Sequence, residues 1–332
     1  MAIVLDAMGS DDCPQPEIEA AIYAAKNLNE SIILVGHKDI IREHVSESDL
    51  AGLPIEIVHA EDILEMGEKA VKSAQLKPNN SMAVGLRLVK EGKAEAFLTA
   101  GNTGAAMFNS LRELGRIRNV ARPALTALFP TAKGFSVVID IGANSDCRPE
   151  YLLQFAVMGS IYAEAMQKIS KPKVGLLNNG EEPGKGNELM RTTYPLLESS
   201  KKINFIGNVE AKEVFAGKAD VVVTDGFTGN IFLKTSEATA KMLTDILKEQ
   251  LMPSIASGGD NSLAKNILSA VKSKMDPNAV GAAPLLGVDG LVFVGHGRSN
   301  STALISAIKV VREALNVDLV GTVRQSIQEE LA

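Results

Sequence analysis

AEAFLTAGNTGAAMFNSLRELG, residues 94–115, contains in one stretch the features from which the fold can be predicted. The apolar run Ala94–Thr99 predicts a buried strand, and residues 103–115 have the spacing of an amphipathic helix. The small residues of AGNTGA between them are typical of a tight turn from a strand into a helix. The stretch therefore predicts one strand–loop–helix unit.

Similar units recur along most of the chain. The other predicted strands, all short apolar runs rich in β-branched residues, are Ala2–Asp6, Ser31–Gly36, Ile55–Val58, Pro123–Phe129, Phe135–Asp140, Lys173–Leu177, Ile203–Ile206, Ala219–Asp225 and Leu291–Gly295. Helical stretches such as residues 81–91 and 150–169 lie between many of them. Apolar strands that alternate with helices favour an α/β fold whose mainly parallel sheet is covered on both faces.

One segment breaks this alternation. Residues 227–252 have a helical pattern, PSIASGGDNS follows, and a shorter helix is predicted over residues 262–275. No further strand is predicted before Leu291. We interpret residues 227–280 as a helical excursion that protrudes from a single α/β domain spanning residues 1–332.

The composition argues against several classes of function. The 332 residues are 45% apolar, enough for a large core, while a net charge of −6 and 4% aromatic residues argue against nucleic-acid binding. Two cysteines are too few for a disulfide framework and wrongly spaced for a zinc site. No metal-ligand cluster appears in the sequence, and we expect neither a metal nor a cofactor. The N-terminal MAIVLDAMGSDD lacks the pattern of a signal peptide, which predicts a cytoplasmic protein.

Six predicted strands end in loops rich in glycine, asparagine, aspartate or serine. Because parallel α/β sheets bind ligands at the carboxyl ends of their strands, we expect these loops to form one polar site. The loops are AMGSDD, AGNTGA, IGANSD, NNGEEPGKGNE, DGFTGN and GHGRSN. The candidate phosphate-binding residues in them are Asn102, Thr103, Gly104, Asn144 and Asn230, and the candidate catalytic residues are Lys185, His296 and Asp225.

Chemical reasons favour some of these candidates over others. GNTG opens a helix directly after a strand, so its N–H groups can face an anion with the helix dipole behind them. Lys185 stands between two glycines as a mobile cation, although a solvated loop lysine fits equally well. His296 precedes a helix within a site loop, whereas the other three histidines lie in ordinary helix or strand patterns. Asp225 can instead cap the helix that follows it.

The sequence contains only weak nucleotide-binding patterns. GEEPGKG is one residue short of a P-loop and lacks the hydroxyl residue after the lysine, and Asn300 replaces the third glycine of a dinucleotide fingerprint. No GxSxG or HExxH occurs, and we interpret Cys13 and Cys147 as small packing residues. Acyl transfer nevertheless remains possible, since phosphate is itself a nucleophile and a thiol with a pKa of ~8.5 leaves readily. The protein then has to place both substrates and stabilise the oxyanion.

The loops and their flanks resemble the PlsX-type acyl-carrier-protein:phosphate acyltransferases of bacterial phospholipid synthesis. The motifs that carry the resemblance, in order, are DAMGSDDCPQP, AGNTGA with GRIRNVARPAL, DIGANSDCRPEYLLQFAVMGSIYAE, GLLNNGEEPGKGNE, IGNVEA, ADVVVTDGFTGNIFLK and GAAPLLGVDGLVFVGHGRSN. The resemblance implies a three-layer α/β/α fold similar to isocitrate and isopropylmalate dehydrogenases, a homodimer, and transfer of a fatty acyl group from acyl carrier protein to inorganic phosphate. Ser10, Asn179 and Ala211 depart from the usual pattern of the family.

Other functions stay open beside this one. A coenzyme A-dependent phosphate acetyl- or butyryltransferase has the same chemistry on a similar fold. A non-catalytic adaptor that binds acyl carrier protein is a second alternative, although it would have no use for Lys185 or GNTG. A nicotinamide oxidoreductase is suggested by fold analogy alone.

The helix predicted over residues 262–275 is amphipathic. Lys265 and Lys272 lie opposite one apolar arc, which includes Leu263, Ile267, Leu268 and Val271. This stripe can pack on the preceding helix or on a dimer partner, and from spacing alone packing is the simpler interpretation. Because the resemblance implies a helical tip that faces the membrane, we expect peripheral contact with anionic lipid.

Overall fold

The computed structural model describes residues 2–256 and 281–330, together with residue 266. Eleven strands in this part of the chain form one sheet: β1 Ala2–Asp6, β2 Ser31–Gly36, β3 Ile55–His59, β4 Ala94–Thr99, β5 Ala124–Thr131, β6 Gly134–Ile139, β7 Lys173–Leu177, β8 Asn204–Val209, β9 Val221–Val223, β10 Ala282–Leu286 and β11 Leu291–Gly295. The predicted strands are all present, five of them with the predicted bounds.

The helices lie between these strands and cover both faces of the sheet. Those described are α1 Gln15–Asn27, α2 Lys38–His44, α3 Glu47–Leu50, α4 Ala70–Leu76, α5 Ser81–Lys90, α6 Thr103–Glu113, α7 Pro149–Gln167, α8 Glu188–Ser199, α9 Ala211–Phe215, α10 Gly226–Ala256, α11 Ser301–Asn316 and α12 Leu319–Glu330. In this part of the chain, no helix is long and apolar enough to cross a membrane.

Two hydrophobic cores, one on each face of the sheet, give the fold its three layers. Along β1, Ile3 and Leu5 belong to one core and Val4 to the other, because successive side chains of a strand point to opposite faces. The first core includes side chains of α1, α7, α11 and α12, and the second includes those of α4, α5 and α6. The predicted α/β/α architecture is confirmed.

The strand β10 corrects the sequence-based prediction, which had no strand between the helical excursion and Leu291. Its residues AAPLL pair antiparallel with β11 on one side and with β5 on the other. A short apolar run with a proline inside it gives a weak strand signal, since proline removes a ladder donor. The tertiary pairing on both edges outweighs that local preference.

The direction of the strands divides the sheet into two regions. The strand order is β3-β2-β1-β4-β11-β10-β5-β6-β9-β7-β8. Pairing is antiparallel from β11 to β10, from β10 to β5 and from β5 to β6, and parallel elsewhere. Three reversals make β6, β9, β7 and β8 run opposite to β1, β2, β3, β4 and β11. The mainly parallel sheet therefore gathers its loops at two edges rather than one.

Candidate active site

The loops after β1, β4 and β11 form the first loop cluster, residues 7–14, 100–102 and 296–300. Val294 of β11 pairs in register with Thr99 of β4, so these two strands end side by side. The Thr99 hydroxyl donates to the Asp6 carboxylate (2.6 Å) and accepts from the N–H of Gly101 (2.9 Å). The N–H of Asp11 donates to the carbonyl of Gly297 (2.7 Å). The three loops are thereby fixed to one another.

Close backbone packing within the first loop cluster explains one of its glycines. A Cβ on Gly9 would lie 2.8 Å from the backbone nitrogen of Gly101, closer than a real Cβ approaches. Only glycine allows the loops after β1 and β4 to come so near to each other.

Asn102, Thr103 and Gly104 stand where α6 begins, as predicted for a candidate phosphate site. The Asn102 side chain, however, caps the helix, because its oxygen accepts from the N–H of Ala105 (3.1 Å). Its amide group donates to the carbonyl of Met66 (3.1 Å), so the side chain is used within the protein. The first turn at Thr103 and Gly104 is half-buried to exposed and remains the part of this loop that can face an anion.

His296 follows β11 and faces the long helix α10. Its Nε2 atom lies 3.7 Å from a carboxylate oxygen of Glu237, and Arg298 lies 3.7 Å from the other oxygen. Burial lowers the pKa of His296. The positive charges of Lys234 and Arg298 lower this pKa further, and only the negative charge of Glu237 raises it. The imidazole is therefore neutral near pH 7, the form that can accept a proton.

The loops after β6, β7 and β9 form the second loop cluster, residues 140–148, 178–187 and 224–225. Asp140 is its centre and is fully buried. Its carboxylate accepts hydrogen bonds from the backbone N–H groups of residues 125, 142, 143 and 144 and from the Asn144 side chain, at 2.8–3.1 Å. Burial raises the pKa of Asp140, and these hydrogen bonds counteract the rise.

Asn144 and Asp225 have structural partners in this arrangement. Asn144 donates one side-chain hydrogen to Asp140 (2.8 Å) and the other to the carbonyl of Pro123 (2.7 Å), which leaves neither for a phosphate. Asp225 accepts from the N–H and the hydroxyl of Thr228, both at 2.8 Å, and so caps α10. The geometry gives these two predicted site residues a role in holding the loops.

Asn230 lies one turn into α10 and faces the same loop. A Cβ on Gly142 would be 3.7 Å from its side-chain carbon, so the amide group stands beside the Asp140 loop. Within the residues that the structure describes, this amide has no hydrogen-bond partner. Unlike Asn144, it therefore has donors that remain free for a ligand.

Lys185 lies on the exposed part of the loop after β7. The loop is held by a hydrogen bond from Asn178 to the Lys185 carbonyl (3.1 Å) and by one from Asn208 to the Glu182 carbonyl (2.8 Å). Among the described residues the Lys185 ammonium group has no hydrogen bond or ion pair. It is an exposed cation on a loop that is held in place.

Helix α10 brings the two loop clusters together. It begins at Asp225, passes the Asp140 loop at Asn230 and reaches His296 with Glu237. Seven residues of helix at 1.5 Å per residue put about 10 Å between the Cα atoms of Asn230 and Glu237. Asn230 and His296 thus lie beside the same helix, although the strands that precede them run in opposite directions. Lys185 follows β7, which neighbours β9, but no described contact joins it to His296.

Sequence reasoning did not single out several charged residues that the structure brings together. Arg298 stands in the predicted site loop GHGRSN and Lys234 ends the motif ADVVVTDGFTGNIFLK, whereas Glu237 reads as part of a solvated helix face. Only the contact between α10 and the β11 loop brings the three together. Glu17 reads as a first-turn acid of α1, but the fold buries it beneath the loop after β1 and raises its pKa to about 7. No local sequence signal could have found this.

The two cysteines fit their interpretation as packing residues. Burial raises the pKa of Cys13 to about 11 and that of Cys147 to about 12, so both are thiols rather than thiolates at neutral pH. The predicted membrane-contact residues Leu263, Ile267, Leu268 and Val271 lie outside the described residues.

This chain is similar in sequence and in fold to known proteins. A family model described as "Fatty acid synthesis protein" matches residues 1–321. The phosphate acyltransferase of Elusimicrobium minutum is 45% identical over 99% of this chain and 96% of its own. That of Acidobacterium capsulatum is 44% identical over 94% and 92%. Among solved structures, EutD phosphotransacetylase from Staphylococcus aureus aligns with a TM-score of 0.60 at 15% identity, covering 95% of this chain and 94% of its own. This last likeness shows the fold.

Proposed function

The chain belongs to the fatty acid synthesis protein family and is an acyltransferase that uses phosphate as acceptor in phospholipid synthesis, and we propose that its donor is a fatty acyl group on acyl carrier protein. The observation that carries the proposal is identity above 40% with phosphate acyltransferases over nearly the whole chain. The motif resemblance supports acyl carrier protein as the donor rather than coenzyme A.

The reaction needs little covalent help from the protein. A phosphate oxygen attacks the thioester carbonyl carbon, the carbonyl becomes an oxyanion, and the carbon–sulfur bond then breaks to give acyl phosphate and a thiol. The proton that leaves phosphate balances the one that the departing thiolate gains. Placement of the two substrates and stabilisation of the oxyanion are what the enzyme has to supply.

The two loop clusters offer groups for each of these tasks. Neutral His296 is suited to take the proton of phosphate and return it to the sulfur. Lys185, exposed and unpaired among the described residues, is suited to reach the oxyanion or the phosphate. The first turn of α6 at Thr103 and Gly104, with the free amide of Asn230, supplies neutral donors.

A donor comparison tests the proposal. The protein is incubated with phosphate and either palmitoyl-acyl carrier protein or palmitoyl-coenzyme A, and acyl phosphate is trapped with hydroxylamine. We expect acyl phosphate from both donors, with the free thiol carrier released in proportion to the acyl phosphate formed. We expect kcat/KM to be at least tenfold higher for the carrier protein. Preference for coenzyme A would identify the alternative transferase, and no product from either would favour the adaptor.

The exposed face of α10 supports a homodimer. Phe227, Ile231, Met242, Leu243 and Ile246 of this helix are 48–62% exposed, an apolar surface of the kind that another chain covers. We expect the wild type to sediment as a dimer and the double variant Met242→Asp, Ile246→Asp as a monomer. A double variant that is folded and still dimeric would exclude this face.

We also propose that the protein is cytoplasmic and that residues 262–275 make peripheral contact with the membrane. The support is the amphipathic pattern of that segment and the motif resemblance. Liposome flotation with anionic vesicles tests it, with Ile267→Asp, Val271→Asp as the variant and the same vesicles at high salt as a second arm. Equal flotation of the folded variant and the wild type would reject this segment as the anchor.

A further inference from the structure

Three basic side chains and one carboxylate meet where α10 crosses the first loop cluster. The Lys234 ammonium group lies 3.2 Å from one carboxylate oxygen of Glu237, and the Arg298 guanidinium lies 3.7 Å from the same oxygen. His296 lies 3.7 Å from the other oxygen. Lys234 and Glu237 belong to the helix that leaves the second loop cluster, whereas His296 and Arg298 belong to the first. The group therefore joins α10 to the first loop cluster.

Two exposed cations share one carboxylate in this group. Glu237 is 20% exposed, and the cations that share it are Lys234 at 56% and Arg298 at 61% exposure. A second acid, Asp11, lies by the same loop, with a carboxylate oxygen 3.1 Å from where a Cβ of Gly297 would be. Within the described residues the guanidinium makes no hydrogen bond, so its N–H groups remain available.

An ordinary surface ion pair would need only one cation and would contribute little. Here a lysine of α10 and an arginine of the β11 loop converge on one carboxylate oxygen beside a neutral histidine, an arrangement that suits a doubly charged oxyanion. Arginine supplies a planar fork for two phosphate oxygens, and lysine supplies a point charge. The chemistry that this group recognises is a phosphate.

We propose that Lys234 and Arg298 form a phosphate clamp between α10 and the β11 loop, with Glu237 as the positioning residue that holds both cations there while the clamp is empty. The proposal rests on the proposed function, in which two molecules bring a phosphate group. One is the acceptor, inorganic phosphate, and the other is the phosphopantetheine arm of the acyl donor. The clamp places either one next to His296.

Charge-neutral variants test the clamp directly. Binding of inorganic phosphate is measured by calorimetry for wild type, Lys234→Gln and Arg298→Gln, and KM is measured for phosphate and for palmitoyl-acyl carrier protein. We expect each variant to raise one of these constants at least tenfold with a smaller change in kcat, since each removes a charge-assisted contact. Lys241→Gln is the matched control on the same helix, where Lys241 pairs with Asp245 at 2.8 Å, and should change both constants less than twofold.

The pattern of the effects identifies the ligand. Weaker calorimetric binding and a higher KM for inorganic phosphate assign the clamp to the acceptor. A higher KM for the donor alone, with weaker binding of the carrier protein only when it bears its phosphopantetheine arm, assigns it to that arm. If folded Lys234→Gln and Arg298→Gln leave both constants within twofold of wild type, the clamp is wrong.

A measurement on the wild-type chain keeps the clamp distinct from the proposed function. Phosphate bound beside His296 adds negative charge, which should raise the pKa of its imidazole in an NMR titration. A protein that makes acyl phosphate but shows no such change with phosphate or with the phosphopantetheine arm would retain its function and lose the clamp. If the pKa of His296 rises but no acyl phosphate is made, the clamp is supported and the proposed function is wrong.

Discussion

One buried carboxyl group lies beneath each loop cluster, Glu17 in the first and Asp140 in the second. The two differ in how many hydrogen bonds the protein donates to them. Asp140 accepts five hydrogen bonds, four of them from backbone N–H groups. Glu17 accepts one from the N–H of Ser10 (3.2 Å) and lies beside the Ser10 hydroxyl. Burial raises the pKa of both, but Glu17 has far fewer donors to oppose the rise. A saturated carboxylate fixes its loop, whereas a poorly solvated one holds a proton close to neutral pH.

The largest expected effect is on stability, at Asp140. Replacing it in Asp140→Ala removes the acceptor of three buried and two partly buried donors, which should lower the free energy of unfolding by about 4 kcal/mol. Urea denaturation measures this. Asp146→Ala, an exposed acid of the same loop, is the matched control and should change the value by less than about 0.5 kcal/mol. A loss below about 1 kcal/mol at Asp140 would remove the contrast between the two clusters.

Glu17 should make the free energy of unfolding depend on pH. Its pKa is about 7 in the folded chain against an ordinary value of 4.5, so between these values the folded chain holds a proton that the unfolded chain releases. The free energy of unfolding should therefore fall by about 3 kcal/mol, relative to Glu17→Gln, as pH rises from 4.5 to 7, and then level off.

The control for this effect lies on the exposed side of the same helix. Glu19→Gln should keep the decline in stability that Glu17→Gln abolishes, since Glu19 is exposed. Parallel pH profiles for wild type and Glu17→Gln would mean that the pKa of Glu17 is not raised toward neutral pH.

Lys185 should contribute to catalysis and not to stability, because it belongs to the second loop cluster without supporting it. Lys185→Ala should lower kcat about 10²-fold, the scale of losing one donor to a developing oxyanion. Urea denaturation should show a change below about 0.5 kcal/mol, since the side chain is exposed. Lys201→Ala, another exposed lysine, controls for the loss of charge, and activity of Lys185→Ala within a few-fold of wild type would refute the assignment.

The strand–loop–helix units were predictable from sequence because each depends on neighbouring residues. β1, β2, β4, β7 and β11 have their predicted bounds, since a continuous apolar run followed by a glycine-containing turn is a local pattern. β10 was not predictable, because its ladder depends on partners at β5 and β11 that are distant in sequence.

The site was predictable in its loops but not in the tasks of its side chains. A loop amide such as Asn144 looks the same in sequence whether it faces a ligand or, as here, donates both hydrogens to the protein. The assumption of one parallel edge also failed, since three antiparallel pairings reverse half of the sheet. What joins the clusters is α10, whose contact between Glu237 and His296 spans 59 residues of sequence and follows no motif.

The smallest expected effect concerns Asn102, where capping and anion binding can be separated by one atom. Asn102→Asp keeps the oxygen that accepts from Ala105, so the helix cap should survive and stability should change by less than about 0.5 kcal/mol. It also loses the donor to Met66 and places a negative charge at the first turn of α6, which should raise KM for phosphate about tenfold if an anion binds there.

The control for Asn102 puts the same charge on a distant cap. Ser46 caps α3 between β2 and β3, and Ser46→Asp should leave both stability and KM nearly unchanged. Asn102→Ala completes the series, because it should cost about 1 kcal/mol through the lost cap while repelling no anion. If Asn102→Asp binds phosphate as tightly as wild type does, the first turn of α6 is only the start of a helix. Anion binding would then belong to the cations Lys234 and Arg298.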